Sequence, residues 1–517
     1  MGRIAVAAVV SLWAIPISIL VNRIVPDPYM DEIFHVPQAQ RYCRGDFTSW
    51  DPMITTPPGL YYLSLAYVAS LFPGMWFAKA VQSFPLLCST TILRSTNAVF
   101  AIICSILVYD LLILLRPTMS ERKATLYAIV LTLYPVHWFF TFLYYTDVAS
   151  LTAVLAMYMA SLKEEYWISA MLGAFAILIR QTNAVWMVFV AANGAITYAE
   201  NSYEKVFVPR NPKGIVFEGN NLLLDRKDIP TDQGLRKRKM SSSVNTTDLS
   251  KFETSGHSLC HAPANRHVAG FIDEILDTTL KLWCSKWKVL ISFAPFIMVA
   301  LAFLAFVIWN GSIVLGAKEA HVVSPHLAQL MYFGLVSGAA FAPLYFNLGQ
   351  AAALYHSFRR NKVLGSLLIL VALTVGFTSI HFFSIAHPYL LADNRHYTFY
   401  IWRKVIQVHW MMKYLLVPLY VYSWFSIISI LGKAQNRIWV FSFFISCALV
   451  LIPAPLIEFR YYTIPFYFLI LHSQVTDYDQ WLTVGTLYVA VNIFTMTMFL
   501  FRPFHWDHEP GTQRFIW

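Results

Sequence analysis

Just past its first apolar run the chain reads PYMDEIFHVPQAQRYC (28–43), with Asp31 and Glu32 adjacent and His35 one helical turn after Asp31. Neighbouring side chains on a helix diverge by about 100°, so these two carboxylates do not both meet one atom. One can take a proton from a reacting group while the other holds local geometry, and the spacing does not say which. The same pair at a helix start also serves ordinary dipole chemistry. Gln38, Gln40, Arg41, Trp50 and Asp51 follow closely and favour a site over a plain solvated turn.

A second dense stretch is ADNRHYTFYIWRK (392–404). Arg395, His396, Arg403 and Lys404 bring cationic donors together beside Asp393 and Asn394. That set suits a phosphate at headgroup level, with arginine favoured for its forked donors. Tyr397, Tyr400 and Trp402 fit an interfacial aromatic belt or a platform for a sugar ring. Arg460, in EFRYY (458–462), either pairs with Glu458 or faces an anion. Arg180 interrupts an apolar segment, which makes it a functional candidate or one half of a buried ion pair. His137, on an aromatic face, reads as a packing histidine.

The elements that must position these residues follow from composition. The 517 residues are 57% hydrophobic and 13% charged, with net charge +10 and mean hydropathy +0.54. A soluble domain carries roughly 25% charged residues, so an all-α polytopic membrane protein is expected. A span needs about 20 apolar residues. Candidates are 4–25, 96–115, 124–144, 147–162, 166–180, 183–199, 289–309, 328–347, 364–385, 411–431, 437–456, 461–473 and 481–501, about 13 transmembrane helices. The run 60–72, after TTPPG, is short and is expected along the interface.

Basic turns orient this list. RPTMSERK (116–123), YHSFRRNK (355–362) and GKAQNR (432–437) all fall on the cytosolic side when the first residues are cytosolic. Three regions result: an N-terminal membrane module (1–199) with a first luminal loop at 26–59, a cytosolic segment (200–288), and a C-terminal membrane module (289–517). The middle segment holds RKRK (236–239) and is rich in Pro, Ser and Asn, as a mobile loop is. Its NTT (245–247) matches a glycosylation acceptor placed on the wrong side for modification. The loops dense in carboxylate, His, Arg and Trp all fall on the luminal face, so a site facing the lumen is expected.

Several classes find no support. There is no Gly-rich phosphate loop, HExxH or GxSxG. The six cysteines lack CxxC spacing, so neither a metal knuckle nor a disulfide framework is expected. The modest basic excess lies in short turns and does not form a nucleic-acid stripe. The luminal loops carry no DxD that would point to a metal-bound nucleotide sugar. A transporter would spread polar residues through midplane helices, whereas here they gather in loops.

PYMDEIFHVPQAQRYC, WDPMITTPPGLY (50–61), RQTNAVW (180–186), HPYLLADNRHYTFYIWRK (387–404) and EFRYYTIPFY (458–467) closely resemble the dolichyl-phosphate-glucose-dependent alpha-1,2-glucosyltransferases of the endoplasmic reticulum. The likeness runs from residue 28 to the last spans and leaves 200–288 unmatched. It implies a GT-C glycosyltransferase with interfacial helices in the first luminal loop, working in the endoplasmic reticulum membrane with no metal or other cofactor. The implied partners are dolichyl-phosphate glucose, a diglucosylated dolichyl-pyrophosphate-linked oligosaccharide and membrane lipid. The implied base is Asp31 or Glu32. A different GT-C member using dolichyl-phosphate mannose is the nearest rival. On side-chain chemistry Arg395 and His396, then Arg403 and Arg460, would bind the donor phosphate. His35, Gln38, Asn183, Asp393 and Asn394 would meet sugar hydroxyls, and Trp50 or Trp402 would stack on a ring.

Overall fold

The computed structural model describes residues 1–72, 87–207, 270–321, 323–475, 477–507 and 509–517. The expectations for RKRK (236–239) and NTT (245–247) lie outside them. The chain divides into two units, residues 1–198 with 286–517, and residues 199–285. The second contains the end of the Asn183–Phe207 helix and an amphipathic helix, Phe271–Cys284.

The first unit is mostly helical. Among the described residues six helices are long and apolar enough to cross a bilayer: Gly2–Ile24, Thr90–Leu115, Lys286–Asn310, Lys362–Phe382, Met412–Ala434 and Tyr478–Phe501. A seventh is added if Ala328–Ala340 and Ala342–Arg360, bent by 99°, form one span. The expected count of about 13 is not met by helices of full bilayer length. The difference comes from apolar runs that fold as shorter pieces, such as Thr146–Leu162, Tyr166–Ile179 and Arg437–Leu451.

Local chemistry explains the breaks. The run 124–144 splits into Glu121–Thr132 and Pro135–Phe140. Pro135 has no N–H to continue a ladder and pushes Tyr134 out of the helical region, to ψ 121°. Pro343 likewise has no N–H to continue the ladder past Ala340, and Phe341, two residues before it, leaves helical geometry at the bend. Helix starts are marked by side-chain caps: Ser89 accepts from the Ile92 N–H, and Asn436 from that of Trp439.

The core sits where short helices meet long ones. Thr463–His472 is buried along its whole length, so it is an interior helix whose apolarity faces protein. Its Phe466 stacks on Tyr134 at 4.2 Å, and Phe468 on Trp186 at 5.2 Å. Thr90–Leu115 packs against Gly2–Ile24 and Thr146–Leu162. The helix Gly59–Leu71 approaches Tyr166–Ile179 so closely that a Cβ at Gly59 would stand 2.5 Å from the Leu178 carbonyl. That contact ties the segment after the first loop to the main body.

One expectation is corrected. Cys43 and Cys88 form a disulfide across 45 residues. It joins the end of the Glu32–Cys43 helix to the start of Thr90–Leu115. Spacing could not reveal it, because the two sulfurs meet only after the 28–58 loop folds over the later helix. A second departure is a short antiparallel ribbon, Phe504–Trp506 with Glu509–Gln513, in a chain otherwise read as all-α.

Closing a loop of this length removes about 4 kcal/mol of chain entropy from the unfolded state. The double variant Cys43→Ser/Cys88→Ser is therefore expected to lower the thermal midpoint of the detergent-solubilised protein. Peptide mapping without reductant should recover residues 43 and 88 in one cross-linked species.

Candidate functional site

The adjacent carboxylates 31 and 32 part company at the start of the Glu32–Cys43 helix. Glu32 is 0% exposed. Its two oxygens accept four hydrogen bonds: from Arg94 Nε at 2.8 Å, Arg94 Nη2 at 2.6 Å, the Tyr144 N–H at 2.5 Å and the Tyr29 N–H at 3.0 Å. No lone pair is left for a substrate. Arg94 also donates to the carbonyls of Val25 and Asp27 and to Asn22. This one guanidinium therefore fastens residues 22–32 to the Thr90–Leu115 helix.

Asp31 faces the other way. Its side chain is 42% exposed, and its backbone N–H donates to the Tyr145 hydroxyl at 3.1 Å. The preceding residue, Met30, holds φ at +56°, a left-handed conformation that costs a side-chain-bearing residue roughly 1–3 kcal/mol. The Arg94–Glu32 clamp on one flank and Tyr145 on the other hold that turn in place, and it aims Asp31 into a cavity of about 160 Å³.

Arg460 reaches Asp31 from 429 positions along the chain. Its Nη1 donates to Asp31 Oδ2 at 2.9 Å and lies 3.9 Å from Asp147 Oδ2. Its Nε and Nη2 hold Glu458 at 3.0 and 2.8 Å. The rings of Phe140 and Tyr145 each lie 5.4 Å from the guanidinium carbon. Arg180 pairs with Asp147 at 2.8 Å, which resolves its sequence ambiguity in favour of an ion pair. Burial raises the Asp31 carboxyl, but the charge of Arg460 and the hydrogen bond from it lead the opposing effects, and the net result is a lowered pKa. Asp31 is therefore an ionised acceptor at neutral pH.

The opposite wall comes from residues 389–398 and the turn 456–460. Asp393 takes a forked bond from Arg395, Nε to Oδ1 and Nη2 to Oδ2, both at 2.8 Å. His396 Nε2 stands 3.5 Å from Asp393 Oδ2, and its Nδ1 is 2.8 Å from the main-chain oxygen of Trp517. Burial works against the Asp393 charge, yet bonds from His396 and Arg395 leave its carboxyl well below the usual range. Burial likewise lowers His396, but the Asp393 bond reverses this and raises it. Asp31, Asp393, His396 and Arg460 thus line one cavity, with Tyr389 and Trp517 beside them.

A second cavity of about 120 Å³ is almost wholly apolar, and Trp402, Ile406 and Tyr420 contribute to its wall. It shares Thr398, Ile457 and Phe459 with the first. A charged chamber and a greasy one therefore adjoin.

Other residues singled out from the sequence are placed elsewhere. Gln38 is buried and secures the loop behind it, donating to the Ser49 carbonyl and accepting from the Asp51 N–H. Asn183 donates to Ser150 and to the Ala176 carbonyl inside the helical body. Trp50 packs on Tyr61, and His35 bonds the Tyr61 hydroxyl at 2.6 Å. Burial lowers His35, with Asp31 only partly restoring it. Asn394 accepts from the Trp506 indole, and Arg395 spends its donors on Asp393 and Gln513. Arg403 is exposed beside Phe399. Arg94 escaped notice, although a lone arginine at the end of an apolar helix is a signal by itself. Among the described residues no three His, Cys, Asp or Glu side chains stand close enough to hold a metal ion.

The sequence pattern of the DIE2/ALG10 family matches residues 25–471. A relative from Arabidopsis thaliana is 55% identical over 520 residues, covering 100% of both chains. Relatives from Homo sapiens, at 32% identity over 96% of this chain and 94% of theirs, and from Yarrowia lipolytica, at 29% over 96% and 94%, are also similar. All three are named Dol-P-Glc:Glc(2)Man(9)GlcNAc(2)-PP-Dol alpha-1,2-glucosyltransferase. No solved structure matches the chain.

Removing one member of a buried ion pair costs about 3–5 kcal/mol. Arg94→Met and Glu32→Gln are each expected to lower the thermal midpoint sharply. Asp31→Asn, at a half-exposed position, should shift stability by less than about 1 kcal/mol. Thermal unfolding of the three variants measures the contrast directly.

Proposed function

The chain belongs to the DIE2/ALG10 family, and on that premise we propose that it transfers glucose from dolichyl-phosphate glucose to the terminal glucose of diglucosylated dolichyl-pyrophosphate oligosaccharide. The new bond is an alpha-1,2 linkage, and the step completes the lipid-linked glycan used for N-glycosylation. It is an inverting hexosyltransferase of GT-C type in the endoplasmic reticulum membrane. The single observation that carries the site assignment is the convergence of Asp31, His396 and Arg460 on one cavity that adjoins an apolar one.

The chemistry follows from the linkages. The donor sugar is beta-linked to phosphate and the product is alpha-linked, so one in-line displacement at C1 suffices, with a carboxylate as base. The acceptor 2-hydroxyl oxygen forms the new bond to C1 while its proton passes to Asp31. The C1–phosphate bond breaks, and its electrons stay on the phosphate oxygen. A lipid phosphate is already a weak base and needs no proton to leave. Arg460 and protonated His396 meet the charge gathering on its oxygens. Both cations are shared with carboxylates in the free protein, so the phosphate competes with Asp31 and Asp393 for them. As Arg460 turns toward phosphate, Asp31 loses the charge that depresses its basicity.

The apolar chamber suits the first isoprene units of the donor, which places the phosphate at the boundary between the two chambers. We place this site on the luminal side. Basic turns on the far face support that orientation, and so does a disulfide twelve positions after Asp31, since such bonds persist in oxidising compartments.

Two outcomes are expected. Purified protein given labelled dolichyl-phosphate glucose and the diglucosylated acceptor should form an alpha-linked product. Asp31→Asn should lower kcat by about 10²–10⁴-fold. Mannose transfer in place of glucose, or full activity in Asp31→Asn, would contradict the reading. The second outcome concerns pH. His396 is charged below the ordinary histidine value of about 6.5 and loses its charge only as pH rises through its higher folded-state value. Donor KM should accordingly rise as pH passes upward through that value, and His396→Gln should flatten that rise.

A further inference from the structure

Residues 513–517 touch both halves of the site. On the acidic side, the Tyr29 hydroxyl accepts from the Arg514 N–H at 2.7 Å and donates to the Arg514 carbonyl at 2.8 Å. Tyr29 precedes Asp31 by two residues, and its own N–H binds Glu32. On the cationic side, Gln513 Oε1 accepts from Arg395 Nη1 at 2.7 Å, and the Ile516 N–H donates to the Arg395 carbonyl at 2.8 Å. His396 Nδ1 meets the Trp517 main-chain oxygen at 2.8 Å. Tyr397 packs edge-on against Phe515 at 4.6 Å and lies 4.3 Å from the Trp517 ring.

The turns at 29–31 and 393–397 also meet directly, where the Tyr29 hydroxyl interacts with Arg395, and this short segment bonds to each. It is itself secured: Arg514 Nη1 donates to the carbonyls of Phe499 and Leu500, at the end of the Tyr478–Phe501 helix. Ile516 and Trp517 also form part of the cavity wall.

We propose that residues 513–517 act as a strap that sets the spacing between Asp31 and His396, with Tyr29 and Gln513 as its positioning residues at the two ends. The proposal rests on the site described under Proposed function. Neither residue lines the cavity. Each acts through the turn it fastens: Tyr29 through the one that bears the base, Gln513 through the one that receives the donor phosphate. A displacement of about 1 Å between reacting groups costs on the order of 100-fold in rate, so two hydrogen bonds that hold a turn in register have kinetic consequences well beyond their own strength.

The test uses the full-length enzyme and separates kcat from donor KM. Tyr29→Phe keeps the ring and its contact with Phe499, 5.9 Å away, and removes only the hydroxyl. It is expected to lower kcat about 10–100-fold with donor KM within about twofold and a near-wild-type thermal midpoint. Gln513→Ala is expected to do the reverse, raising donor KM several-fold while kcat is largely kept. A merely structural segment would give both variants one profile, a lower midpoint with unchanged kinetics per folded molecule, and that result overturns the strap. Asp31→Asn is assayed alongside. If it is inactive while both strap variants behave as wild type, the strap alone is wrong. If it is active, the site on which the strap depends is wrong.

Discussion

One guanidinium, that of Arg460, stands within ion-pair distance of Asp31, Glu458 and Asp147, which come from three separate parts of the chain. A charge taken out of water needs partners, and here each carboxylate finds its partner in the same cation. The turn after the first long helix must therefore meet the turn before the buried Thr463–His472 helix. The rest of the arrangement follows. Arg180 neutralises Asp147, Phe140 and Tyr145 cover the guanidinium, and Asp31 and Arg460 line the cavity together.

The division of labour between residues 31 and 32 shows how a fold can assign roles to two like groups. Burial and four donors commit Glu32 to structure. The strained backbone at Met30 turns the next side chain outward. The strain is held by the clamp beneath it, so the geometry of Asp31 depends on an arginine that does not line the cavity. The adjoining apolar chamber fits the proposed lipid-linked donor, whose polar and apolar ends call for different surroundings within a few ångströms of each other.

Much of this was legible in the residues themselves. Asp31, Asp393, His396 and Arg460 stand out in loops of an otherwise apolar chain, because charge retained beside a membrane is costly without a use. What could not be read was pairing. Gln38, Asn183 and Asn394 have the right chemistry for sugar hydroxyls, and each also bonds protein groups that only the fold brings near. The Cys43–Cys88 bond and the strap at 513–517 are long-range contacts with no local signature. The expected span count and the number of full-length helices differ for a related reason. An apolar run reports burial against something, and the Thr463–His472 helix is buried against protein on every side.

Acidic and cationic turns from distant parts of the chain are proposed to seat one phosphosugar between them. A structure of the full-length protein with a non-transferable dolichyl-phosphate glucose analogue measures this most directly. The phosphate should lie within hydrogen-bonding distance of His396 or Arg460, with the sugar carbon C1 open on its Asp31 side and the lipid leaving past Trp402. Density for the phosphate in another part of the molecule, with the Asp31–Arg460 cavity still closed by its own ion pairs, would contradict the claim.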